Sequence, residues 1–390
     1  MIFKIKSLGE ICKFQGGSQP PKSNFIYEPK NGYIRFLQIR DFGSENNHTY
    51  IPEDKKNKIC NSDDIMIGRY GASVGKILRG RRGAYNVALM KATPLNSLVN
   101  KEYLWNYFKS PIFQDNLEKV ASRSAQDGFS KDDIFDFKVP LPPLPIQQKI
   151  VEKLDAIFAE IDKARAAAEA NAKNAEALFQ SYLTQVIEGG SEDWREFQIK
   201  ELGKVITGNT PKTSEPENYG DFISFVKPGD FNSDGTIDLE KQKLSQIGMS
   251  VSRVVKEKSA LMVCIGATIG KCGFVEVDVV TNQQINSVTP NSDFSHKFIY
   301  LQMLTSSFQK KIINSSGQAT LPIINKSKWE SLTMKFPPLS KQLEIVERFE
   351  NLRFETQNLK NSQLVKIRNT HLFKQSILKQ AFNGELFKAA

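Results

Sequence analysis

The stretch Pro142-Pro143-Leu144-Pro145-Ile146-Gln147-Gln148-Lys149-Ile150-Val151-Glu152 is answered 195 residues later by Pro337-Pro338-Leu339-Ser340-Lys341-Gln342-Leu343-Glu344-Ile345-Val346-Glu347. After each double proline the period of the apolar residues changes from irregular to helical. The first tail steps through Ile150, Leu154, Ile157, Ile161, Ala164, Ala168, Ala175, Leu178, Tyr182 and Val186. The second steps through Ile345, Phe349, Leu352, Thr356, Leu359, Gln363, Ile367, Phe373, Ile377 and Ala381. Spacings of three and four with charged residues between them are a heptad seam, so each tail is expected to be one long helix. About 44 residues at 1.5 Å each give roughly 65 Å of rod. Such a helix overhangs a domain of about 140 residues, and the nearest apolar stripe of equal length is the other tail, so a coiled coil is expected. Polar Thr356 and Gln363 on the seam either fix its register or touch a partner, and the Ala-rich run from Ala164 to Ala177 either allows close helix approach or is simply helix-favouring filler.

Working outward, the same shift aligns the rest of the chain. Ile5-Lys6-Ser7-Leu8-Gly9-Glu10-Ile11 answers Ile199-Lys200-Glu201-Leu202-Gly203-Lys204-Val205, and Gly71-Ala72-Ser73-Val74-Gly75-Lys76 answers Gly266-Ala267-Thr268-Ile269-Gly270-Lys271. Pro21-Lys22-Ser23 corresponds to Pro211-Lys212-Thr213, and Asn86–Pro94 to Asn282–Pro290. The chain is therefore a tandem repeat of a domain and its helix, divided as 1–142, 143–190, 191–337 and 338–390. Short β-branched and aromatic runs punctuated by Gly, Pro, Asn and Asp mark the two domains as strand-rich α/β units, each with one helix, Lys101–Phe113 and Lys297–Ile312. The expected fold class is α+β, with two repeated α/β domains joined by two long antiparallel helices that form a coiled coil, pseudo-twofold symmetric.

Composition narrows the function. The 390 residues include 53 Lys and Arg against 43 Asp and Glu, a net charge of +10 that permits a nucleic-acid partner without establishing one. No apolar run approaches the roughly 20 residues of a membrane span, and Met1–Glu10 has no secretory pattern, so a cytoplasmic protein with no membrane partner is expected. Cys12, Cys60, Cys264 and Cys272, with His48, His296 and His371, are too scattered for a disulfide framework or a metal site.

Catalytic constellations are missing. Gly71-x-x-x-Gly75-Lys76 and Gly266-x-x-x-Gly270-Lys271 are each one residue short of a phosphate-binding P-loop and read better as tight turns or places where backbone approaches a phosphate. Neither double proline belongs to the base-binding loop of an amino-methyltransferase, and Asp63-Asp64 and Asp132-Asp133 lack nuclease-like company.

Basic residues are more informative. No acid lies between Asp64 and Glu102, while Arg69, Lys76, Arg79, Arg81, Arg82, Lys91 and Lys101 fall there, interleaved with Tyr70 and Tyr85. That is a candidate phosphate-facing surface. The second copy offers Lys212, Lys227, Lys271, Lys326 and Lys328. Loop amides and hydroxyls add groups able to read base edges: Ser18 and Gln19 beside Lys22, Ser124 and Gln126 before Lys131, Thr210 beside Lys212, and Gln283-Gln284; Ser73, Thr268, and Gln318 with Asn325 join the expected DNA-binding residues. Residues shared by the copies are expected to hold the fold and backbone contacts. Those that differ, such as Arg79, Arg81 and Arg82, are expected to give each domain its own target.

Two divergent domains, each followed by a Pro-Pro-Leu-x-x-Gln helix, and an end reading Gln375-Ser376-Ile377-Leu378-Lys379-Gln380-Ala381-Phe382-Asn383-Gly384-Glu385-Leu386 resemble the specificity subunit of type I restriction-modification systems across nearly the whole length. The resemblance implies a non-catalytic subunit whose two target-recognition domains each read one half of an asymmetric, bipartite site in double-stranded DNA. It also implies that the helices act as a ruler and dock two modification subunits, which methylate adenine N6 with S-adenosylmethionine. Restriction subunits using ATP and magnesium would join them, with no cofactor in this chain. Competing readings are a stand-alone DNA-binding regulator, a scaffold with an incidental basic face, and an enzyme acting alone.

Overall fold

The computed structural model describes residues 3–43, 48–95, 98–122, 128–190, 193–316 and 322–386. The chain forms two compact units, Met1–Ala168 with Val365–Ala390, and Glu169–Leu364.

In the first unit five strands carry the domain scaffold: β1 (Cys12–Gly16), β2 (Tyr33–Leu37), β3 (Ile65–Gly68), β4 (Gly83–Tyr85) and β5 (Leu89–Pro94). One four-stranded sheet runs β1-β5-β3 with Ile77–Leu78 at its edge, and a second runs Tyr50–Pro52, β2, β4, Ile59–Cys60. Cys12 lies opposite Pro94, and Phe36 of β2 pairs in parallel with Ala84 of β4. Helices α1 (Lys101–Lys109) and α2 (Pro111–Ala121) cover the first sheet and supply Tyr103, Tyr107, Phe108 and Phe113 to its core. The single helix expected over Lys101–Phe113 is thus two. Ser110 is extended (φ −75°, ψ 152°) and Pro111 opens the next helix, because proline has no N–H to continue the first one.

From Leu144 the chain runs as one helix, α3 (Leu144–Glu188). The second unit repeats the plan with β6 (Gly203–Thr207), β7 (Tyr219–Val226), β8 (Ser259–Val263), β9 (Val279–Thr281) and β10 (Ile285–Pro290), in orders β6-β10-β8-(Cys272–Val275) and (Lys243–Leu244)-β7-β9-(Val254–Val255). The helix expected over Lys297–Ile312 is likewise divided into α4 (His296–Met303) and α5 (Ser306–Ser315), since the Thr305 hydroxyl accepts from Phe308 N and starts a new helix. The last helix is α6 (Leu339–Phe382). Among the described residues no helix is long and apolar enough to cross a membrane.

One residue of the repeated motif explains how each long helix is fastened to its domain. Gln147 is fully buried; its Oε1 accepts from Asn100 N at 2.8 Å, and its Nε2 donates to Leu98 O and Pro142 O, both at 2.8 Å. Gln342 does the same in the second unit, accepting from Ser295 N at 2.9 Å and donating to Asp293 O at 3.0 Å and Pro337 O at 2.9 Å. Each amide therefore ties the start of α3 or α6 to the residues that cap α1 or α4.

Within each unit the long helices pack antiparallel. In the first, Lys374 meets Asp162 at 2.6 Å, Lys153 Nζ reaches Leu386 O at 2.8 Å, and Phe382 packs edge-on against Tyr103 and Tyr107. In the second, Lys360 lies 3.6 Å from Glu176, and Phe349 packs on Phe179 and Tyr182. Of the expected seam, Ile150, Leu154, Ile161, Ala168, Ile345 and Phe349 are buried, and Ile157, Leu352 and Ile367 are half-buried.

Four expected seam residues are exposed: Ala164, and Leu178 at 58%, Leu359 at 44% and Phe373 at 52%. On α3 the buried positions after Ala175 advance by four, through Phe179, Leu183 and Ile187, one residue beyond the expected Leu178, Tyr182 and Val186. On α6 the places next to Leu359 and Phe373 are taken by half-buried Lys360 and Lys374. Their ammonium groups reach acids on α3, and Lys374, the more buried of the two, also stands 5.3 Å over the Phe158 ring. Choosing only apolar residues shifts the reading by one position. Phe179→Ala is expected to lower the unfolding free energy by about 3–5 kcal/mol, and Leu178→Ala by less than about 0.5 kcal/mol, measured by chemical denaturation of the full chain.

Candidate nucleic-acid interface

At the end of β1 the chain turns through Gly17, whose N–H bonds Leu89 O at 3.0 Å, and Ser18 N bonds Tyr85 O at 3.1 Å. A Cβ on Gly17 would stand 2.0 Å from Asn86 O, so only glycine permits this approach. Gly208 repeats the arrangement after β6, bonding Ile285 O at 3.1 Å, with a Cβ position 2.2 Å from Thr281 O. The turns Tyr85–Ala88 and Thr281–Gln284 meet a third loop: Ala88 O accepts from Arg69 N at 2.9 Å, and Gln284 O from Cys264 N at 2.7 Å. Three loops thus converge at one end of each domain, and their hydrogen bonds make Arg69 equivalent to Cys264, Tyr70 to Ile265 and Val87 to Gln283.

The near-P-loop segments form the third loop. Gly75 and Gly270 have φ of +77° and +90°. Gln114 Nε2 donates to Gly75 O at 2.9 Å and Phe108 O at 2.6 Å; Gln309 Nε2 donates to Gly270 O at 2.9 Å and Met303 O at 2.7 Å. The glycines serve a turn pinned to α2 or α5, and leave the side chains of Lys76 and Lys271 exposed.

Expected contact residues divide accordingly. Ser18, Gln19, Lys22, Arg69, Tyr70, Ser73 and Lys76 lie on the converging loops of the first domain, and Thr210, Lys212, Thr268 and Lys271 on those of the second. Arg69 is held by Nε to Phe129 O at 3.1 Å and Nη1 to Val87 O at 3.4 Å, with its guanidinium 4.9 Å over the Tyr70 ring. Lys76 Nζ lies 3.4 Å from Ser73 Oγ, and Lys212 pairs with Glu215 at 3.0 Å. Lys227 directly follows β7, whose Val226 O accepts from Asn282 N at 3.0 Å. Lys131 and Lys326 instead open short helices, Lys131–Phe135 and Lys326–Glu330, and Lys326 pairs with Glu330 at 3.3 Å. Ser124, Gln126 and Gln318 lie outside the described residues.

The acid-free window is not a bare cationic face. Its bordering acids fold back onto it: Arg79 grips both carboxylate oxygens of Glu102 at 2.7 Å and lies 4.2 Å over Trp105, Lys101 pairs with Asp63 at 2.8 Å, and Lys91 with Asp64 at 3.4 Å. The Lys101 ammonium holds the Asp63 carboxyl below its usual range. Arg79 is thereby committed to α1, whereas Arg82 is exposed and Arg81 half-buried. Burial pushes the thiols up, to about 12 for Cys12, Cys264 and Cys272 and about 11 for Cys60, so each is protonated at neutral pH. Among the described residues no group of three or more His, Cys, Asp or Glu could hold a metal ion.

Arg253, absent from the basic-cluster reading, joins the second domain's loops, where two expected residues also meet. Arg253 N donates to Asn209 Oδ1 at 2.8 Å and its Nη1 to Thr207 O at 3.0 Å; Thr210 Oγ1 donates to Gln283 Oε1 at 2.6 Å. The available signal for Arg253 was its position just before the strand Val254–Val255, matching Lys58 before Ile59–Cys60.

The profile of the family described as the type I restriction modification DNA specificity domain matches the chain twice, over residues 3–170 and 191–369. The chain belongs to this family. As a member it carries DNA specificity in a type I restriction-modification system and is not the catalytic chain. Among its relatives, the specificity subunit of the type I restriction enzyme EcoBI from Escherichia coli is 25% identical over 400 residues, covering 94% of this chain and 82% of that one. Two solved structures share the fold. One, from work on complex assembly and conformational transition of the type I R-M system, has a TM-score of 0.77 at 20% identity and covers 98% of both chains. The HsdS subunit of Thermoanaerobacter tengcongensis has a TM-score of 0.56 at 18% identity, over 99% of this chain and 97% of that one. Within this family frame, Gln309→Ala removes two hydrogen bonds that pin the second specificity domain's glycine turn, and is expected to cost about 1–3 kcal/mol in denaturant unfolding of the full chain.

Proposed function

We propose that this chain is the sequence-reading subunit of a cytoplasmic type I restriction-modification complex. Residues 1–142 and 191–337 each read one half of a bipartite, asymmetric site in double-stranded DNA. Residues 143–190 and 338–390 set the gap and dock two modification subunits that methylate adenine N6, to which restriction subunits are added. S-adenosylmethionine, ATP and magnesium belong to those partners, and the target adenine would be turned out of the helix into a modification subunit. The observation that carries the reading is the duplicated arrangement: one loop-bearing domain, tied by one buried glutamine to one long helix, twice in the same chain. Two readers on one chain make the second contact effectively intramolecular, which raises affinity without new chemistry. Lys76, Arg82 and Lys271 are the cations best presented for phosphates, with Ser18, Gln19, Lys22, Tyr70, Thr210, Lys212, Lys227 and Thr268 beside them.

Two measurements test this. Asp162 opposite Lys374 and Glu176 opposite Lys360 place Ala168 opposite residue 368, and Thr356 opposite residue 180. Insertions after Ala168 and Thr356 would therefore fall out of step, whereas seven residues after Ala168 and after Ile367 preserve the heptad. Seven residues add about 10 Å of helix, about three base pairs. Methylation sequencing is expected to show both half-sites unchanged around a gap longer by that amount; altered half-sites with an unchanged gap would sink the ruler. Replacing Arg81 and Arg82 by Glu is expected to weaken DNA binding by the assembled complex and to flatten its salt dependence.

A further inference from the structure

We infer that Gln283 reads an adenine·thymine base pair in the half-site of the second domain, with Thr210 as the residue that positions it; this rests on the DNA-reading function proposed above. The two domains build equivalent turns. Asn86 and Asn282 each place their N–H on the strand that ends at Leu37 or Val226, at 3.0 Å in both cases, so the scaffold keeps this asparagine in both copies. The next residue is solvent-facing in both: Val87 in the first domain, Gln283 in the second. Nothing in the shared scaffold calls for an amide there, because the first domain builds the same turn with valine.

Gln283 is nevertheless held. Thr210, reached across 73 residues of sequence, donates its hydroxyl to Gln283 Oε1 at 2.6 Å. Among the described residues no acceptor takes the Nε2 hydrogens. A glutamine whose oxygen is fixed while its NH2 faces outward is prepared to donate to adenine N7, and its second oxygen lone pair remains available for N6–H. Fixing a rotamer-rich side chain before binding lowers the entropy lost when the contact forms. Two cations share the loop of Thr210 and are offered for phosphate contacts: Lys212, paired with Glu215, and Arg253, whose backbone and guanidinium bond the loop at Asn209 and Thr207. In the first domain the equivalent places hold Val87, an apolar surface suited to a thymine methyl, and Gln19 in place of Thr210, so the two rims present different chemistry on one backbone.

The test assembles the full chain with its modification subunits and compares the methylated motif of wild type, Gln283→Ala, Thr210→Val and Thr210→Ser by methylation sequencing. Wild type is expected to give a bipartite motif. Gln283→Ala is expected to relax one A·T position of one half-site, losing about tenfold or more in discrimination there, while the other half-site and the gap stay as they were. Thr210→Val relaxes the same position, and Thr210→Ser restores it, which a merely structural role would not produce. Should Gln283→Ala abolish methylation, competition by duplexes singly substituted along that half-site supplies the readout: one position to which wild type responds and the variant does not. A bipartite wild-type motif with an unchanged Gln283→Ala motif, or relaxation at a G·C pair, overturns the inference alone. A wild-type complex that directs no bipartite methylation overturns the functional reading beneath it.

Discussion

A single buried amide in each unit, Gln147 or Gln342, fixes the angle at which a long helix leaves its domain. Each uses its oxygen and both hydrogens on backbone groups of two elements, the start of the long helix and the approach to the helix that covers the sheet. Removing such a side chain would leave several buried backbone groups unpaired, at about 1–3 kcal/mol apiece. Apolar packing could hold the same elements together, but it tolerates sliding and rotation more readily than three directed bonds do.

On that common frame the two domains keep and change residues by a simple rule. Side chains and glycines that shape backbone are duplicated: Gly17 with Gly208, Gly75 with Gly270, Gln114 with Gln309, Asn86 with Asn282. Several groups at the converging loops differ, Tyr70 against half-buried Ile265, Val87 against Gln283 and Gln19 against Thr210, whereas the exposed Lys76 and Lys271 are shared. The first domain also spends a cation inside the rim, Arg69, where the second has a buried, protonated thiol, Cys264. One backbone thus carries two chemistries without any change of fold.

How much of this was legible in the residues depends on the range of the interaction. The tandem repeat, the long helices and their partnership follow from motif order and period, which are local or recur at one offset. The seam was displaced at Phe373, where Lys374 stands over the Phe158 ring instead, because a hydrophobic count does not register a lysine against an apolar surface. The basic window was legible only in part: Asp63, Asp64 and Glu102 sit at its ends in sequence, and only the fold brings them onto Lys101, Lys91 and Arg79. Thr210 and Gln283 were both visible as polar loop residues, but their hydrogen bond is a tertiary fact that no spacing announces. Pro111 and Thr305 carried helix-start chemistry in plain sight and were overridden by the apolar period on either side.

The first unit is completed by residues from far down the chain, since Ile377, Leu378, Ala381 and Phe382 belong to its core and Leu386 O accepts from Lys153. During synthesis the ribosome therefore releases the amino-terminal domain long before the material that finishes its core, while the second unit, drawn from Glu169–Leu364, has all its parts earlier. The domain made first is the one finished last, and for most of translation its α1 aromatics face an unfilled groove awaiting the final helical turns.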